Sequence, residues 1–269
     1  MIVYAQEQIS HSNEEKLALQ IINELRRQKG LTELQLMDSL TKLSDVEVKT
    51  MSNNVNAFIQ KIKTADLQSV FNYYNIGYCK NIFYNIVQNN DSLTNIVNSW
   101  LNKQDSPFLM NNITHFSLSH INKNNVNYYF CFAVERNKDL SNDELLNYKR
   151  KVIELVNVER AKYNLTPLSE LQFLMEASQI RATEQLQKEG HTRPNNTPWN
   201  TVLKLNGAYH IGENVAQGQS TPEEVMKDWM NSPEHRENIL KVDYKYIGVG
   251  VYQKDGKFYW AQLFYNNKS

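Results

Sequence analysis

The sequence predicts an α+β fold written twice, each copy a small antiparallel sheet flanked by helices. Three observations carry this: an internal repeat, helix-start signals in the second copy, and a hairpin signal near its end. The repeat is the strongest. Leu155 to Arg160, then Leu165, Leu168, Leu171, Leu174, Ser178 and Ile180, follow Ile21 to Arg26, Leu31, Leu34, Met37, Leu40, Ser44 and Val46 at a distance of 134 residues. Two apolar helical stripes therefore recur in the same relative positions. Further on, Asn214-Val215-Ala216-Gln217 through Trp229 repeats Asn85-Ile86-Val87-Gln88 through Trp100 at an offset of 129, and Phe258-Tyr259-Trp260 repeats Tyr128-Tyr129-Phe130 at 130.

Each half then reads helix, helix, strand, helix, strand, strand. In the second half Ser141-x-x-Glu144 is a capping box opening a helix with the stripe Leu145, Tyr148, Val152, Leu155, Val156. A second helix carries Leu171, Leu174, Ser178, Ala182 and Leu186. Thr221-Pro222-Glu223-Glu224 places an N-cap, a proline at the first helical position and a capping-box Glu in order, and Ser232-Pro233 repeats the signal for a shorter helix. Tyr246 to Tyr252 and Lys257 to Phe264 are β-rich and meet around Asp255-Gly256, which suits the positive φ angles of a tight hairpin. The polar stretch Arg136 to Asp143 separates the halves, giving a tail over 1–14, a first domain over 15–138 and a second over 139–269. In the first half Ile21, Ile22, Leu25, Leu40, Leu43, Val46, Ile86, Ile96, Val97 and Trp100 keep the spacing of a core.

Composition narrows the function classes. Lys and Arg number 29 against 29 Asp and Glu, with no basic run of five, so the electrostatic footprint of a nucleic-acid binder is absent. No stretch of about 18 apolar residues is present to span a membrane. Two cysteines, Cys79 and Cys131, exclude a Cys-rich zinc module; sheet-neighbour strands would allow a bond between them, and two buried thiols are the alternative. Val3-x-Ala5 has the small-residue pattern of a signal-peptidase site, from which an upstream signal sequence is expected.

The groups able to form a site lie in the second half. His191, Glu213 and His235 make a three-ligand set for zinc or another divalent cation with one position open. Spacing alone does not bring them together, and solvated histidines and a surface carboxylate are the alternative. His235 falls at the third helical position after Ser232, where the helix dipole favours the neutral imidazole that ligates metal. His210 alternates away from Glu213 and is excluded, while Asn214 reads as a backbone-bonding amide. Trp100 and Trp229 stand at core spacing.

Taken together, Leu155-Val156-Asn157-x-x-Arg160, Leu165-x-Pro167-Leu168, Gly190-His191-Thr192-Arg193-Pro194, Gly212-Glu213-Asn214-Val215-Ala216, Trp229-Met230-Asn231-Ser232-Pro233-x-His235-Arg236-x-Asn238-Ile239-Leu240 and Ile247-Gly248-Val249-Gly250 closely resemble the bacterial CAP superfamily of SCP-like extracellular proteins. The resemblance covers about residues 145 to 265. It implies an α-β-α sandwich with a cleft where His191, Glu213 and His235 converge, lined also by Asn214, Arg193 and Ser232. It also implies a secreted or cell-surface binding protein, whose partner would be a lipid, an envelope component or a host molecule. Two alternatives stand beside it: a metal-dependent hydrolase of peptide or envelope substrates, and a structural coat component. Two departures matter. A second acidic cleft residue of eukaryotic members is replaced here by Ser232. In the first half Tyr84 stands for Glu213, Ser106 or Leu109 for His235, and nothing near Ala57 replaces His191, so that half reads as a degenerate copy without a metal site.

Overall fold

In a computed structural model, residues 11–207 and 209–267 are described. The Val3-x-Ala5 pattern lies outside them. The chain divides into two compact units between Asn137 and Lys138. The first comprises α1 (Asn13–Gln28), β1 (Gln35–Leu36), α2 (Asp38–Asn53), α3 (Val55–Thr64), α4 (Leu67–Tyr73), β2 (Cys79–Asn89), α5 (Leu93–Leu101), a 3₁₀ turn (Pro107–Leu109), β3 (His115–Lys123) and β4 (Val126–Arg136). The second comprises α6 (Asn142–Lys162), β5 (Ser169–Glu170), α7 (Gln172–Glu184), a 3₁₀ turn (Trp199–Leu203), β6 (Tyr209–Gln217), α8 (Pro222–Asn231), α9 (Pro233–Leu240), β7 (Tyr246–Lys254) and β8 (Lys257–Asn267). Helix α1 starts at Asn13, inside the stretch expected to be tail; its cap is Ser12, whose hydroxyl accepts from the Glu15 amide.

The sheets run β1-β3-β4-β2 and β5-β7-β8-β6. Three strands of each are antiparallel, as the hairpin signal predicts, and the edge strands β1 and β5 add a two-residue parallel pairing. Each sheet is covered on both faces. In the first unit α1 and α5 pack on one face through Ile22, Val97 and Trp100, and α2, α3 and α4 on the other through Leu43, Phe58 and Phe71. In the second, α6, α8 and α9 cover one face through Val156, Trp229 and Ile239, and α7 the other through Leu174. This is the α-β-α sandwich.

The same buried side chains anchor both copies. Asn23 exchanges two hydrogen bonds with the backbone of Leu34, and Asn157 does so with Leu168. Arg26 donates to the carbonyls of Thr32, Phe108, Met110 and Ile113, while Arg160 donates to those of Thr166, Ile239 and Lys241. Each guanidinium is essentially without solvent contact, and desolvation lowers its pKa. These donors satisfy carbonyls that loops would otherwise bury unpaired.

Capping follows the sequence closely. Ser141 and Glu144 form the capping box, and the Thr221 hydroxyl accepts from the Glu224 amide. The hairpin turn has Asp255 at φ 50° and Gly256 at φ 81°, and in the first unit Asn124 and Asn125 make the same turn at 53° and 61°. Asparagine tolerates the left-handed region better than other residues with a Cβ.

Three expectations need correction. The offset of 130 for Tyr128-Tyr129-Phe130 is one residue short: Lys123 pairs with Val126 as Lys254 pairs with Lys257, so the hairpins superpose at 131. A one-residue slip exchanges the faces of a strand. Tyr129, not Phe130, therefore matches Trp260 on the helix α1 or α6 face. Val46 is 42% exposed and its counterpart Ile180 47%, so neither belongs to a core; Val48 is buried instead. Leu186 lies beyond α7 and is exposed. Cys79 and Cys131 are both buried and free; burial pushes the Cys79 thiol up to about 12 and raises Cys131 as well. Cys79 sits opposite Arg136 and Cys131 opposite Asn85, so neighbouring strands do not bring the two sulfurs together.

Candidate functional site

The site of the second unit is assembled on the sheet face covered by α7. Along β6, Ile211 and Glu213 point to that face; Ile211 packs with Leu174 and Leu263, and Glu213 meets the helix. His210 lies on the other face, with Nδ1 3.9 Å from Asp243. Glu213 is 4% exposed as a residue, and its carboxylate is held from two directions. Arg181 Nε donates to Oε1 at 2.6 Å, and Oε2 lies 2.8 Å from His191 Nδ1.

Arg181 is the residue that sequence reasoning missed. It is wholly buried on α7, seven residues after Leu174 and three after Ser178, which places it on the buried stripe of the helix. A buried arginine needs fixed acceptors, either a carboxylate or backbone carbonyls, and that was the available signal. Besides Glu213 it donates to Glu184 at 2.7 Å and to the Gly190 carbonyl at 2.7 Å. The second of these fixes the loop that carries His191. Burial alone would lower the Arg181 pKa, but Glu213 and Glu184 outweigh it and raise it.

Arg193 closes the far side by donating to Glu184 at 2.7 Å and to the Thr201 hydroxyl at 3.2 Å. The hydrogen bond that His191 gives to Glu213 raises the His191 pKa against a smaller desolvation effect. His191 keeps 57% of its side chain exposed, so its ring is anchored at Nδ1 and otherwise open to solvent.

His235 arrives from α9, where it is the third residue. Desolvation, then the nearby His191, lowers its pKa, with Glu234 opposing. The position of α9 against the sheet is set by Asn214 and Asn238. Asn214 donates to the His235 carbonyl at 3.0 Å and to Gln262 Oε1 at 3.1 Å, and Asn238 donates to Asn214 Oδ1 at 2.9 Å. Asn214 has no exposed surface and acts as the tie between α9 and the sheet. Ser232 ends α8 and precedes α9, and its hydroxyl makes no cap bond.

The donor set can be tested against a divalent cation on this geometry. Each Glu213 oxygen already accepts from a protein partner, so a cation there would have to share a carboxylate that Arg181 and His191 hold. Among the described residues no three His, Cys, Asp or Glu side chains are gathered as such a group. Each imidazole has its own setting: His191 is oriented through Nδ1, and burial keeps His235 toward its neutral form.

The first unit carries none of this at the corresponding positions. Tyr84 lies opposite Phe132 as Glu213 lies opposite Leu263, so the register equates Tyr84 with Glu213. Phe58 of α3 meets Phe130 edge-on at 5.5 Å, and Tyr84 stacks on the same ring at 6.3 Å. Ala57 belongs to α3, a helix where the second unit has the loop of His191. Neither Ser106 nor Leu109 is the counterpart of His235. Arg26 reaches Phe108 and Met110 as Arg160 reaches Ile239 and Lys241, so the 3₁₀ turn matches only the end of α9. The helical turn that carries His235 is missing.

A family model described as CAP, the cysteine-rich secretory protein family, matches residues 19–134 and again residues 153–264. A curated relative, an uncharacterised protein of Bacillus subtilis strain 168 called YkwD, is 40% identical over 121 residues. The match spans 44% of this chain and 46% of the relative, so less than half of that protein's length is represented. Among solved structures, an extracellular SCP-domain protein of Bacillus anthracis aligns over 52% of this chain and 51% of its own, with 22% identity and a TM-score of 0.42. An outer surface protein of Borrelia burgdorferi aligns over 49% and 99%, with 21% identity and a TM-score of 0.43. Na-ASP-1 aligns over 100% and 93%, with 9% identity and a TM-score of 0.48.

Proposed function

The chain belongs to the cysteine-rich secretory protein (CAP) family in both halves, and from that premise we propose that it is an extracellular binding protein whose second unit holds a divalent cation through His191 and His235. The observation that carries the reading is the 2.8 Å contact between His191 Nδ1 and Glu213. A carboxylate on one ring nitrogen fixes the tautomer and aims the other nitrogen outward, the usual arrangement behind a metal-bound histidine. Glu213 would then orient a ligand rather than be one, and Arg181 would keep it ionised.

Binding is favoured over hydrolysis by the same contacts. A general base must be free to take a proton within hydrogen-bond reach of the substrate. Glu213 is engaged on both oxygens, and no second acidic residue stands at Ser232. The secretory character of the family supports a place outside the cytoplasm. Among the described residues no helix is long and apolar enough to cross a membrane.

Titration calorimetry with zinc at neutral pH tests the site. Wild type is expected to give saturable heat, His191→Ala and His235→Ala none, and Glu213→Gln an affinity about 10- to 100-fold weaker. Equal heats for wild type and both histidine variants would remove the proposal. Metal-dependent hydrolysis of peptide or ester substrates, lost in the double variant His191→Ala/Glu213→Ala, would replace it with the enzymatic reading.

A further inference from the structure

A cavity of about 610 Å³ lies in the second unit between the first turns of α6, the middle of α7 and the end of β7, lined by Leu140, Leu145, Lys149, Gln179, Val251 and Tyr252 among others. Its size falls in the range of small-molecule sites. It shares no lining residue with the group formed by His191, Glu213 and His235. We propose that this cavity is a second binding site, and that it takes an organic monocarboxylate flanked by an N–H donor, the chemistry of a peptide C-terminus.

Two polar groups at the cavity call for that chemistry. Lys149 is half-buried and, among the described residues, has no hydrogen bond or ion pair. Burial lowers its pKa, and only the more distant field of Glu170 opposes this. An ammonium so placed has three donors and gains from a carboxylate. Gln179 supplies the complementary demand. Its Nε2 donates to the Val251 carbonyl at 3.1 Å, which fixes the amide orientation and leaves Oε1 buried without a partner. Buried acceptors without a donor are uncommon in folded proteins, and a ligand N–H would satisfy this one.

The first unit shows what this position does when the chain fills it itself. Lys149 lies 134 residues after Glu15, on the helix whose register is pinned by the Asn23/Asn157 and Arg26/Arg160 pairs. The Glu15 carboxylate is fully buried. It accepts from the Thr41 hydroxyl at 2.8 Å and the Leu118 amide at 3.1 Å, and contacts His11 Nδ1 at 2.7 Å. In the second unit Met175 replaces Thr41, and its sulfur takes the amide of Val249, the residue equivalent to Leu118. Leu145 stands where His11 would be. One copy thus seats an internal carboxylate against this part of the sheet edge, and the other presents a lysine and a cavity.

The lining selects the kind of anion. Asp139, Asp255 and Lys254 also border the cavity, and Lys254 pairs with Asp255 at 3.4 Å, so the carboxylates repel a dianion such as phosphate more than a single carboxylate held by Lys149. Leu140, Leu145 and Val251 offer apolar surface for a short side chain.

Calorimetric titration of the full chain with N-acetyl-dialanine, its C-terminal amide and inorganic phosphate tests the assignment. The acid should bind saturably and the amide at least about tenfold more weakly, since removing the charged partner of an ammonium costs a charge-assisted bond; phosphate should not bind, because Asp139 and Asp255 repel a dianion. Lys149→Gln and, separately, Gln179→Leu should each weaken the acid about tenfold or more, while His191→Ala leaves it unchanged, which separates this site from the cation site. Saturation by the acid that is equal in Lys149→Gln and wild type, or no saturable binding of the acid at millimolar concentration, would overturn the proposal.

Discussion

The two units keep one set of anchors and differ in the face of the sheet that could bind anything. Asn23 and Arg26 repeat as Asn157 and Arg160, with the same backbone partners in the same loops. On the face covered by α7, the second unit gathers Arg181, Glu213 and His191. On the matching face the first unit places Glu47 where Arg181 would be, Tyr84 for Glu213, and Phe130 for Ala261, with Phe58 closing over them. Architecture therefore rests on buried donors that tie helices to loop carbonyls. The candidate site rests on a few side chains that meet at one sheet face from a strand, a helix and a loop, and in the first unit an aromatic cluster takes their place while the anchors are kept.

The largest expected effect tests the anchors. Arg26→Met and Arg160→Met should each destabilise their own unit by about 4 kcal/mol or more, because several carbonyls lose a charged donor together. Denaturant unfolding that resolves one transition per unit would read this. If either variant costs under about 1 kcal/mol, the arginines are not what the two copies share.

Next comes the ion pair that distinguishes the units. Arg181→Met leaves Glu213 buried beside His191 and should cost about 3 to 5 kcal/mol in the second unit. The matching change in the first unit, Glu47→Met, removes only a 3.5 Å contact with the exposed Lys61 and should stay within about 0.5 kcal/mol. Comparable losses would show that the first unit uses its own charged residue in the same way.

A third contrast concerns how closely a helix approaches the sheet. A Cβ on Gly250 would lie 2.0 Å from the Ser178 carbonyl oxygen, and one on Gly248 would lie 2.2 Å from the Leu174 carbonyl carbon. The register equates these glycines with Ser119 and Ser117, whose hydroxyls bond Asp45 at 2.5 Å and Ser44 at 2.6 Å. Gly250→Ala should therefore cost about 2 to 3 kcal/mol by pushing α7 outward, whereas Ser119→Ala should cost about 1 kcal/mol for its hydrogen bond. Thermal melting of the two variants checks the ratio.

Much of this was legible because it is local. Caps, the Asp255-Gly256 turn and the helix stripes follow from residues a few positions apart. The equivalence of Tyr84 and Glu213 followed from the neighbouring Asn85 and Asn214. What was not legible depends on distance. Arg181 and Glu213 meet across 32 residues of sequence. Strands β1 and β5 have two residues each, too few for a period to show. Helices α3 and α4 occupy the span where the second unit has a loop and a 3₁₀ turn, so the repeat itself pointed away from them. The slip from 131 to 130 came from matching aromatic residues by type, although only the hairpin turn fixes which face each one takes.

The smallest expected effect separates the units by pH. In the first unit burial, then the charge of Arg136, lowers the His115 pKa below 6.5. Among the described residues its ring bonds the Thr114 hydroxyl alone, at 2.9 Å. For a base with a lowered folded pKa, the unfolded chain binds the proton first as the pH falls. The stability His115 contributes is thus complete above about 6.5 and is lost as the pH falls through that value toward the folded pKa. In the second unit Glu184 has a lowered pKa as well: burial would raise it, but hydrogen bonds from Arg193 and Arg181 outweigh burial. Its contribution is complete above about 4.5 and disappears only below that, as the pH falls through the folded value. Lowering the pH from 7.5 to 5.5 should therefore move the melting transition of the first unit down by roughly a few degrees through His115, with no part of the loss coming from Glu184. His115→Gln should flatten the first transition across that window, and Glu184→Gln should change the second transition's acid limb only below about pH 4.5. A first transition that keeps its full slope in His115→Gln would mean that another group in that unit carries the pH dependence.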